Sequence, residues 1–186
     1  MTEGLKYRLK RTVVLVGMMG SGKTAIGRSM ASQLDVPFVD SDAAIEEAAA
    51  QSIAEIFARD GEAFFRKRET EILRRLLSAR PGIVSTGGGA FLSAENRDAI
   101  AGMGIAVWLD ADLTTLWERV RHKDTRPLLR TADPKATLTA IYEERTPIYA
   151  LAGVRLAVSA QASIEETTQT VIAALAARAD ILEEMQ

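Results

Sequence analysis

A glycine-rich segment near the start of the chain has the composition of a phosphate-binding loop. Residues 17–24 read Gly-Met-Met-Gly-Ser-Gly-Lys-Thr. The glycines let successive backbone N–H groups point at phosphate oxygens, and a following helix adds the positive end of its dipole. Lys23 can reach the β- and γ-phosphates, while the Thr24 hydroxyl can ligate a Mg²⁺ ion that bridges them. The segment therefore predicts a nucleoside triphosphate site.

The residues around this loop provide the context that the pattern requires. Thr12–Val16 is a short apolar run typical of a buried strand, and Ile26, Met30 and Leu34 recur at helical spacing after the loop. A purely structural turn between strand and helix is the alternative. The flanking strand and helix favour nucleotide binding.

Two acidic residues follow the next predicted strand as Asp40-Ser41-Asp42. If the extended conformation continues, their spacing turns both carboxylates to one side, beyond the carboxyl end of the strand, where ligands of open α/β sheets bind. One carboxylate could then support Mg²⁺ and the other accept a proton from an attacking hydroxyl. The same pair could instead cap the following helix.

Further candidate functional residues lie later in the chain. Arg66 precedes Glu69 by three residues in a helical pattern, so the pair is either a positioned guanidinium or an exposed ion pair. Gly87-Gly88-Gly89 follows a strand, as a flexible turn or as a loop that brings bare backbone against a ligand. Arg126 lies in the irregular segment 121–134, which we predict to be a mobile lid, and Arg145 lies near a helix end.

Short apolar runs alternate with helical patterns along the whole chain. Strands are predicted at 12–16, 37–39, 82–85, 104–109 and 154–158, and helices near 23–34, 43–58, 61–79, 94–102, 112–122, 135–149 and 163–184. This alternation predicts a single α/β domain over residues 1–186, a central five-stranded parallel sheet in a three-layer α/β/α arrangement.

The composition excludes several classes of function. The 186 residues carry 23 basic and 25 acidic side chains, so bulk charge would not hold the chain on nucleic acid or on an anionic membrane. The absence of cysteine excludes disulfides and thiolate metal sites. We expect a cytoplasmic protein without a transmembrane helix, most simply a monomer.

Together, these motifs closely resemble those of the shikimate kinase family, in order and spacing, from the first strand to about residue 150. The resemblance implies a P-loop kinase fold, with the substrate-binding region at about residues 40–70. It also implies that ATP, with Mg²⁺, phosphorylates the 3-hydroxyl of shikimate on the route to chorismate and the aromatic amino acids. Shikimate carries a carboxylate and three hydroxyls, which suits paired guanidinium groups at one end of a site and a hydroxyl acceptor at the other.

The resemblance assigns roles to individual residues. It implies that Lys23, Asp42 and Arg126 are catalytic, with Asp42 as the base, and that Thr24 and Asp40 support the metal. Phe57 and Phe65 would form an apolar wall. The implied ATP-binding residues are Gly20, Ser21, Gly22, Lys23, Thr24, Ala25, Arg119 and Arg126. The implied shikimate-binding residues are Asp42, Arg66, Gly87, Gly88, Gly89 and Arg145.

Three other functional interpretations compete with shikimate kinase activity. Another small-molecule kinase would share the phosphate loop, but its substrate would not require Asp42, Arg66 and Arg145 together. A GTP-dependent switch would need an Asn-Lys-x-Asp guanine motif, which the chain lacks. A non-catalytic ATP-binding module predicts loss of Lys23, Asp42 or Arg126, and all three are present. The adenine contact expected near Gln161-Ala162 stays open.

Overall fold

The central element of the fold is a parallel five-stranded sheet. We describe it from a computed structural model that covers residues 6–123 and 127–185. The strands of the chain are β1 (Lys6–Leu9), β2 (Thr12–Val16), β3 (Phe38–Asp40), β4 (Ile83–Ser85), β5 (Gly104–Ala111), β6 (Val154–Val158) and β7 (Leu182–Met185). The main sheet has the order β3-β4-β2-β5-β6 with every pair parallel. This confirms the predicted five-stranded sheet.

Helices flank the sheet and connect its strands. They are α1 (Lys23–Leu34), α2 (Ser41–Ala49), α3 (Ile53–Ser78), α4 (Ala94–Met103), α5 (Leu113–Val120), α6 (Pro134–Tyr149) and α7 (Ile164–Ala176). Short 3₁₀ turns lie at Ala90–Leu92 and Pro127–Leu129. Helix α1 packs against α7, and α3 packs against α4. The α/β fold class is therefore confirmed.

The main core lies on the sheet, and its centre is β2. All five residues of β2 are buried, as a strand covered on both faces requires. A second, smaller core of Ile45, Ile56, Phe65 and Ile72 joins α2 to α3. This second core fixes the two helices that carry Asp42 and Arg66, so it supports the region expected to bind substrate.

The boundary between α2 and α3 differs from the prediction. Helix α2 ends at Ala49 because Ala50 adopts a left-handed conformation, with φ 51°. Ser52 and Glu55 then form a capping box that starts α3 at Ile53. The predicted helices 43–58 and 61–79 are thus wrong at their junction. Gly61, with φ 82°, makes only a kink inside α3.

The end of the chain also differs from the prediction. The expected helix 163–184 stops at Ala176, and residues 182–185 form β7. This strand pairs antiparallel with β1, from Lys6 with Met185 to Leu9 with Leu182, in a separate two-stranded sheet. The prediction missed both strands, since each gains its hydrogen bonds only from the other, far away in sequence.

The predicted lid at 121–134 is only partly described. Residues 121–123 are exposed, Pro127–Leu129 forms a 3₁₀ turn, and α6 begins at Pro134. Arg126 lies outside the described residues. Lid motion therefore stays a prediction. No helix among the described residues is long and apolar enough to cross a membrane.

Candidate active site

The phosphate loop connects β2 to the first turn of α1, as predicted. Gly17, Gly20 and Gly22 have φ values of 144°, 84° and 95°, conformations that other residues rarely adopt. A Cβ atom on Gly20 would lie 2.8 Å from the Val120 side chain. Gly22 caps α1 without a side-chain hydrogen bond, so the first helical N–H groups have no side-chain acceptor there. The backbone is therefore arranged as an anion site.

Lys23 lies over this loop and is 9% exposed. Its Nζ donates to the carbonyl oxygens of Gly17 at 2.8 Å and of Met18 at 3.0 Å. These bonds hold the ammonium group at the mouth of the loop, where phosphate oxygens would bind. Ser21 is fully buried below it.

Asp40 caps a helix with one carboxylate oxygen and contacts Thr24 with the other. Its Oδ1 accepts from the backbone N–H groups of Asp42 at 3.0 Å and of Ala43 at 3.1 Å, which caps α2. Its Oδ2 accepts from the Thr24 hydroxyl at 3.4 Å. Capping and a metal-supporting position are therefore compatible, because each uses a different oxygen.

Asp40 and Asp42 line one cavity, although the predicted extended conformation across the pair was wrong. The extended conformation does not continue past Asp40, because α2 begins at Ser41 and Asp42 lies in its first turn. Asp40, at the end of β3, and Asp42, in the first turn of α2, nevertheless line the same cavity.

Thr24 and Asp40 fit a magnesium ion that is only partly held by protein. Mg²⁺ prefers oxygen ligands, keeps several waters, and commonly takes one or two carboxylates together with substrate phosphates. A hydroxyl and a carboxylate oxygen 3.4 Å apart provide such a donor set. No group of three or more His, Cys, Asp or Glu residues in the described ranges could hold a metal by itself. An ion here would depend on the nucleotide.

One cavity of about 610 Å³ joins these groups at the carboxyl end of the sheet. Its lining includes phosphate-loop residues, both aspartates, the loop after β4, Arg119, and the loop after β6. Ligands of open α/β folds bind at this edge. The predicted ATP-binding residues that line it are Gly20, Gly22, Lys23, Thr24, Ala25 and Arg119.

Arg119 contacts the phosphate loop directly. Its Nη1 donates to the Gly20 carbonyl at 3.0 Å, across a sequence separation of 99 residues. The guanidinium thus lies at the nucleotide end of the cavity. Ala162 and Ser163 line the same cavity, whereas Gln161 is absent from its lining. The adenine contact stays open.

Asp42 is a half-buried carboxylate with an unusual environment. Burial raises its pKa above the ordinary value, the neighbouring Asp40 raises the pKa further, and Lys23 opposes the rise. A carboxylate with a raised pKa accepts a proton more readily than an ordinary one. Burial and the neighbouring carboxylate therefore favour the protonated form of Asp42.

Arg66 is positioned by a buried partner. Its Nη1 donates to Glu69 Oε1 at 2.9 Å, and Glu69 is 2% exposed. Burial raises the pKa of Glu69, and the hydrogen bond from Arg66 opposes that rise. Glu62 lies 3.6 Å from Arg66 Nε. The pair is therefore only partly exposed, because Glu69 is enclosed in the protein while the Arg66 side chain is 36% exposed.

An aromatic pair lies beside this arginine. The rings of Phe57 and Phe65 are 4.8 Å apart between centroids, and the Arg66 guanidinium lies 5.2 Å from the Phe65 centroid. Phe57 is 37% exposed, while Phe65 is 4% exposed. The expected apolar wall thus adjoins Arg66.

The three consecutive glycines each approach a different predicted substrate-binding side chain. A Cβ on Gly87 would lie 2.7 Å from Asp42 Oδ1, and one on Gly88 would lie 2.9 Å from Arg145 Nη1. A Cβ on Gly89 would lie 2.6 Å from both Nη atoms of Arg66. Any larger residue would occupy the space of these functional groups. The loop is therefore the place where Asp42, Arg66 and Arg145 converge.

Tyr149 is a residue to which the sequence assigned no role. Its hydroxyl donates to the Gly88 carbonyl at 2.6 Å, and its side chain is 1% exposed. Burial raises the pKa of the phenol, and Arg145 beside it opposes the rise. Its position four residues after Arg145, on the same helical face, is a sequence signal that could have revealed its place beside Arg145.

The family model for shikimate kinase matches residues 19–176 of the chain. The chain belongs to the shikimate kinase family. It is 61% identical over 181 residues to a shikimate kinase from Ruegeria pomeroyi, covering 97% of this chain and 93% of that one. It is 56% identical to a shikimate kinase from Cereibacter sphaeroides, covering 95% of this chain and 88% of that protein.

A solved structure gives the same relationship. Shikimate kinase from Acinetobacter baumannii in complex with shikimate has a TM-score of 0.84 to this chain and 33% sequence identity, over 90% of this chain and 93% of that one. As a member of this family the chain is an ATP-dependent kinase that phosphorylates shikimate in aromatic amino acid biosynthesis. The predicted activity is therefore confirmed, while the roles of individual residues stay predictions.

Proposed function

We propose that the cleft transfers the γ-phosphoryl group of ATP to the 3-hydroxyl of shikimate, with Asp42, Arg66 and Arg145 holding the acceptor. The observation that carries this assignment is the glycine loop, which brings Asp42, Arg66 and Arg145 against Gly87, Gly89 and Gly88. Two guanidinium groups suit a carboxylate, and a carboxylate suits hydroxyls.

The nucleotide occupies the other end of the cavity in this proposal. Backbone N–H groups of Gly20 and Gly22 would bind phosphate oxygens, and Lys23 would neutralise charge on the β- and γ-phosphates. The Ser21 N–H instead donates to the Met18 carbonyl at 3.1 Å and so shapes the loop. Mg²⁺ bound by Thr24 and Asp40, directly or through water, would supply further electrostatic stabilisation. Arg119 would lie along the nucleotide. Arg126, outside the described residues, would add charge from the lid.

Asp42 would act as the base. It accepts the proton of the 3-hydroxyl as that oxygen forms its bond to the γ-phosphorus, and the bond from the γ-phosphorus to the bridging oxygen breaks. The products are shikimate 3-phosphate and ADP, which leaves with the bond's electron pair. The raised pKa of Asp42 supports this role.

A coupled ADP-release assay tests the acceptor. Shikimate, quinate, gluconate and nucleoside monophosphates would be compared at equal concentration with Mg·ATP. Phosphorus coupling in the product's NMR spectrum identifies the phosphorylated carbon. We expect turnover with shikimate and coupling to the 3-position. Preferred turnover of gluconate or a nucleotide, or coupling to another carbon, would contradict the proposed binding arrangement.

We also propose a cytoplasmic monomer that binds neither nucleic acid nor membranes. The balanced charge of the chain supports the absence of nucleic-acid and membrane binding. Light scattering after size-exclusion chromatography measures the mass in solution. A mass near 20.2 kDa is expected for the monomer. A mass of twice that value would contradict it.

A further inference from the structure

Gly88, the middle residue of the glycine loop 87–89, is held by a different kind of hydrogen bond from its neighbours. The carbonyl of Gly87 accepts from Ala90 N at 3.2 Å, and the carbonyl of Gly89 accepts from Leu92 N at 3.1 Å. Both are local backbone bonds of the following 3₁₀ turn. The Gly88 carbonyl instead accepts from the Tyr149 hydroxyl at 2.6 Å, across 61 residues. A side chain on α6 therefore fixes the centre of this loop.

Arg145 lies beside both Gly88 and the Tyr149 hydroxyl. A Cβ on Gly88 would lie 2.9 Å from Arg145 Nη1 and 3.7 Å from the Tyr149 hydroxyl. Tyr149 follows Arg145 by one helical turn, so both side chains leave the same face of α6. The hydroxyl is placed to donate to Gly88 and to accept from Arg145.

The Tyr149 ring is itself rigidly held. It is 1% exposed and packs against Trp108 of β5, with ring centroids 6.3 Å apart. Trp108 is 3% exposed, and the guanidinium carbon of Arg155 lies 5.0 Å from the centroid of its ring. A buried ring against the central sheet can hold its hydroxyl in one place, which a surface side chain could not.

We propose that Tyr149 is a positioning residue that holds Gly88 and Arg145 in register and thereby sets the affinity for the shikimate carboxylate. The inference rests on the proposed function, in which Arg145 binds that carboxylate. A guanidinium held in the correct orientation before binding loses less conformational entropy when the ligand arrives. Tyr149 contacts no reacting atom in this scheme, so its effect should appear in acceptor binding.

The test is Tyr149→Phe, which keeps the ring packing and removes the hydroxyl. The Gly88 carbonyl then loses its buried donor, an effect that we expect to raise the Kd and KM of shikimate about tenfold. The Kd of ATP should stay within about twofold, and kcat should change less than the acceptor KM. Calorimetric titration and steady-state kinetics measure these quantities. Equal weakening of both substrates, or no change in shikimate affinity, would overturn the inference.

A matched control is Tyr142→Phe on the same helix. Tyr142 also packs against the main core, but the hydroxyl that donates to the Gly88 carbonyl belongs to Tyr149. We expect shikimate affinity to be unchanged in this variant. Thermal unfolding with and without shikimate separates structure from binding. Tyr149→Phe should show a smaller rise of Tm on adding shikimate than the wild type does. An undiminished rise would mean a merely structural role.

Arg145→Ala distinguishes failure of the inference from failure of the proposed site. If Arg145→Ala weakens shikimate binding and Tyr149→Phe does not, only the positioning role is wrong. If neither weakens it, the assignment of Arg145 is wrong as well. In the double variant, removing the hydroxyl should cost less than in the wild type, because part of its effect passes through Arg145. An equal cost in both backgrounds would overturn the coupling.

Discussion

The two ends of the cleft are built in different ways. The nucleotide end is mostly one contiguous segment, residues 17–24, whose backbone torsions and lysine form the site locally. The proposed acceptor end collects Asp42 from α2, Arg66 from α3, the glycine loop after β4, and Arg145 from α6. Asp42, Gly87 and Gly88 line the cavity, whereas the two arginines lie against the glycine loop. A local motif depends on a few torsion angles, whereas the acceptor end depends on the packing of four elements. Substitutions at one end should therefore weaken binding of one substrate and leave binding of the other nearly unchanged.

The largest expected effect comes from Asp42→Asn. Removing a general base typically costs about 10²- to 10⁴-fold in rate, and we expect kcat to fall by that order. ATP affinity should stay close to that of the wild type, because Asp42 belongs to the acceptor end. Single-turnover kinetics with saturating substrates measure the chemical step. Undiminished kcat would remove Asp42 as the base.

The same variant has an expected pH signature in stability. Burial raises the pKa of Asp42 in the folded state, so the folded protein binds this proton more tightly than the unfolded chain does. The wild type therefore loses stability as pH rises from the unfolded value of 3.8 through the raised folded value. Asparagine has no such loss. The Tm of Asp42→Asn relative to the wild type should rise across that window, and a flat difference would contradict the burial argument.

Lys23→Ala tests the nucleotide end. Loss of one preorganised donor to developing charge typically costs about 10²- to 10³-fold in kcat. We expect that loss together with weaker ATP binding, while the Kd of shikimate measured without nucleotide stays unchanged. Calorimetry with each ligand alone gives the comparison. A parallel loss of shikimate affinity would mean that the two ends are not independent.

Arg66→Ala should produce the opposite selectivity. Hydrogen bonds to charged groups contribute about 1.5–3 kcal/mol, which predicts a ten- to hundredfold fall in kcat/KM for shikimate with ATP affinity nearly unchanged. Arg68→Ala is the control, because Arg68 lies two residues away, is exposed, and pairs with Glu71. Equal effects of the two substitutions would argue against a specific role for Arg66.

Gly88→Ala should give the smallest of these kinetic effects. The added methyl group would lie 2.9 Å from Arg145 Nη1, the end of a flexible side chain that can shift. Overpacking typically costs roughly 1–3 kcal/mol, and a side-chain end can shift more easily than backbone. We therefore expect a cost near the lower limit, which raises the KM of shikimate about five- to tenfold. Gly102→Ala is the control, because nothing lies within 4 Å of a Cβ there. Its kinetics should match the wild type, and a loss equal to that of Gly88→Ala would show that neither glycine is special.

The difference between the two ends also explains which predictions succeeded. Strands such as β2 and β5 could be predicted because their apolar runs are long enough to identify a buried strand. The junction of α2 and α3 could not, because it depends on the left-handed Ala50 and on the Ser52 cap within a region of continuous helical preference. The β1–β7 pair could not be predicted either, since neither four-residue strand has a partner nearby in sequence.

The site residues follow the same division. Glu69 was identified from its three-residue spacing to Arg66, but its burial was visible only once α3 had packed. No role could be predicted for Tyr149, because its partner Gly88 lies 61 residues away. Spacing reveals neighbours on one helix, whereas contacts between elements require the fold.

The sequence by itself determined the phosphate loop, the alternation of strands and helices, and the residue types available for catalysis. Each of these depends on consecutive or periodically spaced residues. The tertiary structure decided which of those residues meet. The order β3-β4-β2 places the loops after these strands side by side, so Asp42, the three glycines and Lys23 share one edge of the sheet. The packing of α3 and α6 then brings Arg66 and Arg145 to the glycine loop. Such convergence depends on contacts between distant segments, and no local pattern specifies it.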